Sequence, residues 1–192
     1  MKRIFFNIQK TFNTSNEEQQ AIIDAAHIKH LAKNELFLRE GDVCKSIGLI
    51  EKGSMRLYYD SNEKEACNDF FFENSVVGSF ASFLSGMPSI VSIAAIEASE
   101  LILFEKNDLF ELIQKYPVMK QLADFILQEQ FIRAERREEA LLKFSPENRF
   151  KSLLEEHPKI FKRIPLHYVA SYLNITPETL SRYRSRFLTS HS

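Results

Sequence analysis

At 192 residues with 44% hydrophobic content, the chain can bury a sizeable core, and its length suits one medium domain plus a small one. Seventeen phenylalanines and no tryptophan supply an interior that needs few hydrogen-bond partners, which argues against a disordered chain. No apolar run approaches the roughly 20 residues of a membrane helix, and MKRIFFNIQKTF is too short and too polar afterwards for a secretory signal, so the expected location is the cytoplasm with no membrane contact.

Residues 16–33, NEEQQAIIDAAHIKHLAK, place Ile22, Ala25, Ala26 and Ile28 in a charged background and predict an amphipathic opening helix. His27 and His30 fall at i, i+3 within it; with no third ligand nearby they read as surface or half-buried histidines, and no metal site is expected. Cys44 and Cys67 lack CxxC spacing and read as two buried free thiols, and two cysteines are too few for an iron–sulfur cluster.

From Glu35 to Phe104 the pattern changes to short β-rich runs separated by turn residues: ELFLRE, SIGLIE, SMRLYYD, ACNDFFF, VVGSF, SIVSIAAIEA and SELILFE. Such a series predicts a compact antiparallel roll or barrel, with Gly41, Gly53, Gly78 and Gly86 at turns or close approaches. Asn107 or Asp108 is positioned to cap a short helix, DLFELIQKY. Pro117 then opens a longer one reaching about Phe144, a span of roughly 40 Å at 1.5 Å per residue. That length exceeds the small domain before it. Its apolar positions, Leu122, Phe125, Ile126 and Ile132, with Leu141 and Leu142 further on, predict a parallel homodimer seam, weighed against a helix that folds back onto the roll.

Ser145-Pro146 supplies an N-cap and an N1 proline for the next helix, ENRFKSLLEEH, and breaks follow at Pro158 and Pro165. In LHYVASYLNITPETLSRYRS, residues 166–185, the apolar spacing of Val169, Leu173, Ile175, Leu180 and Tyr183 fits a helix-turn-helix. Ala170 is small enough for two helices to cross, Asn174 can adopt the left-handed bend, and Thr176-Pro177 restarts the chain. On the helix opening at Pro177, the residues Glu178, Ser181, Arg182 and Ser185 share a polar face opposite Leu180, Tyr183 and Phe187. Arginine pairs bidentately with guanine and a carboxylate accepts from cytosine, so Glu178 and Arg182 fit a G·C-containing step; the alternative is an i, i+4 surface ion pair. Thr176 and Thr179 suit phosphate oxygens, as do Arg184 and Arg186 by charge. From Lys159 onward six basic residues face one acid, a formal +5, whereas the rest of the chain carries 19 basic and 25 acidic residues.

These parts in this order resemble the Crp/Fnr family of bacterial transcription regulators, and the similarity covers nearly the whole chain. Its most specific motif is VASYLNITPETLSR, close to the VASYLGITPETLSR-like sequence of family members in the Bacteroidetes lineage, with Asn174 at the usual glycine. The resemblance implies an α+β chain: a cyclic-nucleotide-binding-like antiparallel β-roll over 1–115, a long dimerisation helix over 116–144 and a helix-turn-helix domain over 145–192. It also implies a homodimer, base contacts by Glu178 and Arg182, double-stranded DNA with a palindromic operator as partner, and RNA polymerase as a further one. Its effector pocket maps to Gly78, Ser79, Phe80, Phe83, Met87, Ser89 and Ile90.

Cyclic-nucleotide-binding members carry a glycine-glutamate pair followed about ten residues later by an Arg-Ser/Thr-Ala triplet. Here Ser79 replaces the glutamate and Ser89 stands at the arginine, so a cyclic phosphate would lose its main counter-charge and cyclic AMP is not expected as effector. Arg56 or Lys64 could replace that cation, or both decorate strand surfaces. The pocket could instead take an apolar or neutral effector lined by Phe80, Phe83 and Met87, or none, those three residues reading equally as plain core; no cofactor is indicated. A cupin-like metal enzyme needs histidines inside the roll, yet positions 27, 30, 157, 167 and 191 all lie outside 35–104, and no catalytic triad stands out. The remaining alternative is a regulatory module acting through protein contacts or a small ligand without DNA binding.

Overall fold

The computed structural model describes residues 14–61 and 64–188; the stretch read for a secretory signal and His191 lie outside them. Helix α1 (Asn16–Asp24) opens on a reciprocal cap, the Glu18 amide donating to Ser15 Oγ at 3.2 Å and the Ser15 amide to Glu18 Oε2 at 2.7 Å. The helix expected over 16–33 stops there. Ala26–Leu31 is strand β1, paired antiparallel with β8 (Ser99–Glu105) so that Ile28 lies opposite Ile102. The apolar spacing of Ile22, Ala25, Ala26 and Ile28 cannot distinguish a continuing helix from a helix followed by a strand, and the open peptide groups of β8 decide between them. On a strand, His27 and His30 project to opposite faces and do not converge.

The remaining strands are β2 (Leu36–Leu38), β3 (Ser46–Lys52), β4 (Met55–Ser61), β5 (Lys64–Phe71), β6 (Val76–Val77) and β7 (Ser92–Ala95). They form two four-stranded sheets, ordered β1-β8-β3-β6 and β2-β7-β4-β5, with every recorded pairing antiparallel. Ile47, Ile50, Val77 and Leu101 from the first sheet meet Leu38, Met55, Phe71 and Ile93 from the second in one core, which also holds Cys44. Cys44 and Cys67 are both buried free thiols. Gly53, at φ 101°, lies where a Cβ would come within 2.7 Å of the Ser99 Cα, and a Cβ on Gly78 would meet Ile47 Cδ1 at 2.5 Å. The run VVGSF is not all strand: β6 ends at Val77 and helix α2 (Phe80–Ser85) begins at Phe80, because Phe80 and Phe83, three apart, turn one helical face onto the core.

Helix α3 (Lys106–Lys115) starts before Asn107 and Asp108, with Glu105 at the N-cap position and no side-chain cap bond, since β8 runs straight into it. Helix α4 (Pro117–Lys143) is 27 residues long with proline in its first turn. Helix α5 (Pro146–Glu156) follows, capped by Ser145 Oγ on the Asn148 amide at 3.2 Å. Between Pro158 and Pro165, where only breaks were expected, Ile160–Arg163 forms a single helical turn, α6, with Ile160 buried. Helices α7 (Leu166–Tyr172) and α8 (Pro177–Leu188) complete the described chain. Phe150, Leu153, Ile160, Val169, Leu173 and Leu180 form a second core, continuous with Tyr58, Cys67, Phe70 and Ile96 of the roll. Buried Arg149 joins two ends within it, donating from Nη1 to the Phe144 carbonyl at 2.7 Å and from Nε to the Leu173 carbonyl at 3.1 Å.

Candidate nucleic-acid interface

The turn between α7 and α8 follows from three residues. Asn174 takes φ 53°, and the Ile175 amide reaches back to the Ala170 carbonyl at 3.0 Å while the Asn174 amide reaches Ser171 at 2.9 Å, closing the end of α7 with a left-handed cap. Ala170 is buried where the helices cross. Thr176 Oγ1 accepts the Thr179 amide at 3.2 Å and so caps α8.

One side of α8 is anchored: Leu180 is buried, and the Tyr183 and Phe187 rings pack tilted against Phe150 with centroids 5.5 and 5.9 Å away. Pro177, Glu178, Ser181, Arg182 and Ser185 lie exposed on the other side. Glu178 and Arg182 make no ion pair within 4 Å among the described residues; Arg182 Nη2 instead donates to Thr179 Oγ1 at 3.0 Å. The Glu178 carboxyl is held below its ordinary value first by its own backbone amide, then by the Thr176 hydroxyl and the Arg182 charge. The structure separates the two arginines assigned to phosphates by charge. Arg184 is half-buried, and Arg186 is exposed with Nη1 3.2 Å from Glu147 Oε2 on α5.

Residues absent from the sequence-derived site hold this helix pair against the roll. Ser171 Oγ accepts the Cys67 amide and donates to the Glu65 carbonyl, both at 2.9 Å, so α7 occupies the outer edge of β5. From α4, Arg133 donates to Asp69 and to the Phe70 carbonyl, and Arg137 donates to the Tyr172 carbonyl. Arg163 on α6 clasps Glu73 and Glu97 of the roll and holds the Glu73 carboxyl down at about 2. It therefore faces the roll and adds nothing to the basic surface counted from Lys159. Arg56 is 6% exposed, stacked between Tyr58 and Tyr168 at about 4 Å and paired with Glu65; it is neither a strand decoration nor a replacement cation in the effector cassette, whereas Lys64 is exposed. Two sequence signals were available: the Arg133/Arg137 pair at i, i+4 and a serine, Ser171, inside an apolar pattern.

At the predicted effector cassette, Gly78 and Ser79 lead into α2, and Phe83 is buried with Phe80 packed beside it. Met87 and Ile90 are exposed, on a loop tied by the Gly41 amide to the Ser89 carbonyl and by the Ser89 amide to the Asp42 carbonyl, both at 2.8 Å. The polar groups are engaged internally: Ser82 Oγ accepts the Cys44 amide and donates to the Met87 carbonyl, and Ser89 Oγ donates to the Val91 carbonyl at 2.8 Å. Residues 78–91 contain no charged side chain.

Along α4, two of the expected seam residues turn inward. Leu122 packs with Ile22, Leu112, Tyr116 and Met119, and Ile126 is half-buried on the side that carries Arg133 and Arg137. Phe125 and Ile132 are exposed, and Leu127, Phe131 and Leu142 extend the outward apolar surface; Phe131 is 65% and Leu142 80% exposed. The stripe reads differently from sequence because both sides of this helix carry apolar residues. Among the described residues no helix is long and apolar enough to cross a membrane.

Residues 28–116 match the family model described as a cyclic nucleotide-binding domain. Solved structures resemble nearly the whole chain. FixK2 from Bradyrhizobium japonicum shares 18% identity over 86% of this chain and 86% of its own, with a TM-score of 0.76. The global regulator CLP from Xanthomonas campestris, described as responsive to c-di-GMP, shares 15% over 92% of this chain and 93% of its own, at 0.73. A transcriptional regulator of the Crp/Fnr family from Eubacterium rectale shares 18% over 93% and 85%, at 0.72. At such identities the likeness shows a common fold. No curated protein matches the chain.

Proposed function

We propose that this chain, which carries a cyclic nucleotide-binding domain and has the fold of the Crp/Fnr regulators, is a sequence-specific DNA-binding transcription regulator and not an enzyme. The observation that carries this reading is α8: its apolar side is locked by Leu180, Tyr183 and Phe187, while Glu178, Ser181, Arg182 and Ser185 face outward together. A helix so held presents base-reading groups to a major groove without first rearranging. In a two-fold dimer joined along the outward face of α4, two such helices meet half-sites about one turn, roughly 34 Å, apart, which calls for a palindromic operator.

Arg182→Ala is the direct test. It is expected to cost about 1–3 kcal/mol of binding at one operator position and to relax preference there, read by fluorescence anisotropy on single-base variants of a selected duplex. An equal loss on every duplex removes Arg182 from base reading.

The roll acts in this reading as a regulatory platform that does not take cyclic AMP in the family's manner. The absence of any charge between residues 78 and 91, and the internal bonding of Ser82 and Ser89, support it. Calorimetric titration with cyclic AMP and cyclic GMP is expected to give no micromolar binding, and a micromolar isotherm would overturn that part.

A further inference from the structure

We infer that Thr179 is a positioning residue rather than a phosphate ligand: its hydroxyl, held by the N-cap hydroxyl of Thr176, fixes the Arg182 guanidinium and sets how sharply that arginine discriminates bases. This rests on the reading of Arg182 given above. The geometry is a run of short contacts at the start of α8: Arg182 Nη2 to Thr179 Oγ1 at 3.0 Å, Thr179 Oγ1 to Thr176 Oγ1 at 3.2 Å, and the Thr179 amide to Thr176 Oγ1 at 3.2 Å.

Donor bookkeeping fixes both ends of the run. Arginine only donates, so Thr179 Oγ1 accepts from it, and the Thr179 amide donates to Thr176 Oγ1. The two hydroxyls meet at 3.2 Å, and whichever of them donates, the oxygen that receives Arg182 is tied to the cap of the helix. A lone exposed arginine samples many rotamers and loses that freedom on binding. One bonded three residues back on its own helix loses less, and a guanidinium held in a fixed plane distinguishes one base edge from another better than a mobile one.

The test uses the full chain and a duplex selected by it from a random-sequence pool. Binding of the unmodified chain, Thr179→Val, Thr179→Ser, Arg182→Ala and the Thr179→Val/Arg182→Ala double variant is measured on that duplex and all its single-base variants, with thermal melts confirming that each folds. Expected is a loss of discrimination by Thr179→Val of roughly 3–10-fold at the same position that Arg182→Ala relaxes. Thr179→Ser restores it, and the valine change has no further effect once Arg182 is gone. Uniform weakening on all duplexes by Thr179→Val marks a phosphate contact and overturns the inference, as does no change at all, while Arg182 as a base reader survives both. If Arg182→Ala itself leaves every base preference intact, the reading of Arg182 fails and the inference falls with it.

Discussion

Replacing Phe150 by alanine is expected to lower the free energy of unfolding by about 3–5 kcal/mol, measured as a shift in the denaturant midpoint at unchanged slope. Phe150 is 0% exposed. Its ring meets Phe161 edge-on at 5.3 Å and lies against Tyr183 and Phe187, so one side chain from α5 supports both α6 and the inner side of α8. Three aromatic neighbours cannot collapse into the vacated volume without moving the helices that carry them, which places the expected cost at the upper end for such truncations. Because the same cluster continues into Tyr58, Cys67 and Phe70, the loss is also expected to loosen the attachment of α7 and α8 to the roll. A cost under about 1 kcal/mol would show that the helices close around the gap and that α8 is not held in place by this residue.

The double substitution Phe131→Glu with Leu142→Glu is expected to leave the monomer folded and abolish dimers. Both positions are strongly exposed on the outward face of α4, so their loss removes little from either core. Two carboxylates per helix, brought opposite their copies in a parallel pair, repel and would have to be desolvated. Equilibrium sedimentation is expected to change from dimer to monomer. Affinity for a two-half-site duplex is expected to fall by about 10²–10⁴-fold, the advantage lost when the second recognition helix is no longer tethered to the first. A dimer persisting in the double variant would move the interface elsewhere and leave the apolar face unexplained.

Where local chemistry decides the conformation, the sequence was sufficient to read it. Pro117 and Ser145-Pro146 bound α4 within a residue because proline fits only the first turn of a helix and serine caps one. The bend at Asn174 and the cap at Thr176 likewise follow from what those residues alone can do. Where a distant partner decides, sequence did not suffice. Ile28 joined a strand because β8 offered an open edge, and Phe80 began a helix because Phe80 and Phe83 together pack onto the core of the roll. Leu122 was indistinguishable from Phe125 until Ile22 of α1 and Leu112 of α3 packed against its side of α4. In the candidate site, the reading face of α8 was legible from 3–4 spacing, but the destination of each arginine was not. Arg56 paired with Glu65 on the neighbouring strand, Arg137 with the Tyr172 carbonyl of α7 and Arg163 with Glu73 and Glu97 of the roll, choices set by carboxylates and carbonyls that only the fold brings close.

Strand β5 lies at the end of its sheet with β4 on one side only, and on the other side Ser171 and Arg133 satisfy the peptide groups of Glu65, Cys67 and Phe70. A side-chain hydroxyl and a guanidinium thus stand in for a missing neighbouring strand. A truncated roll lacking α5 to α8 would leave the Glu65 carbonyl and the Cys67 amide open to pairing with another strand edge, the hazard that an uncovered edge strand carries.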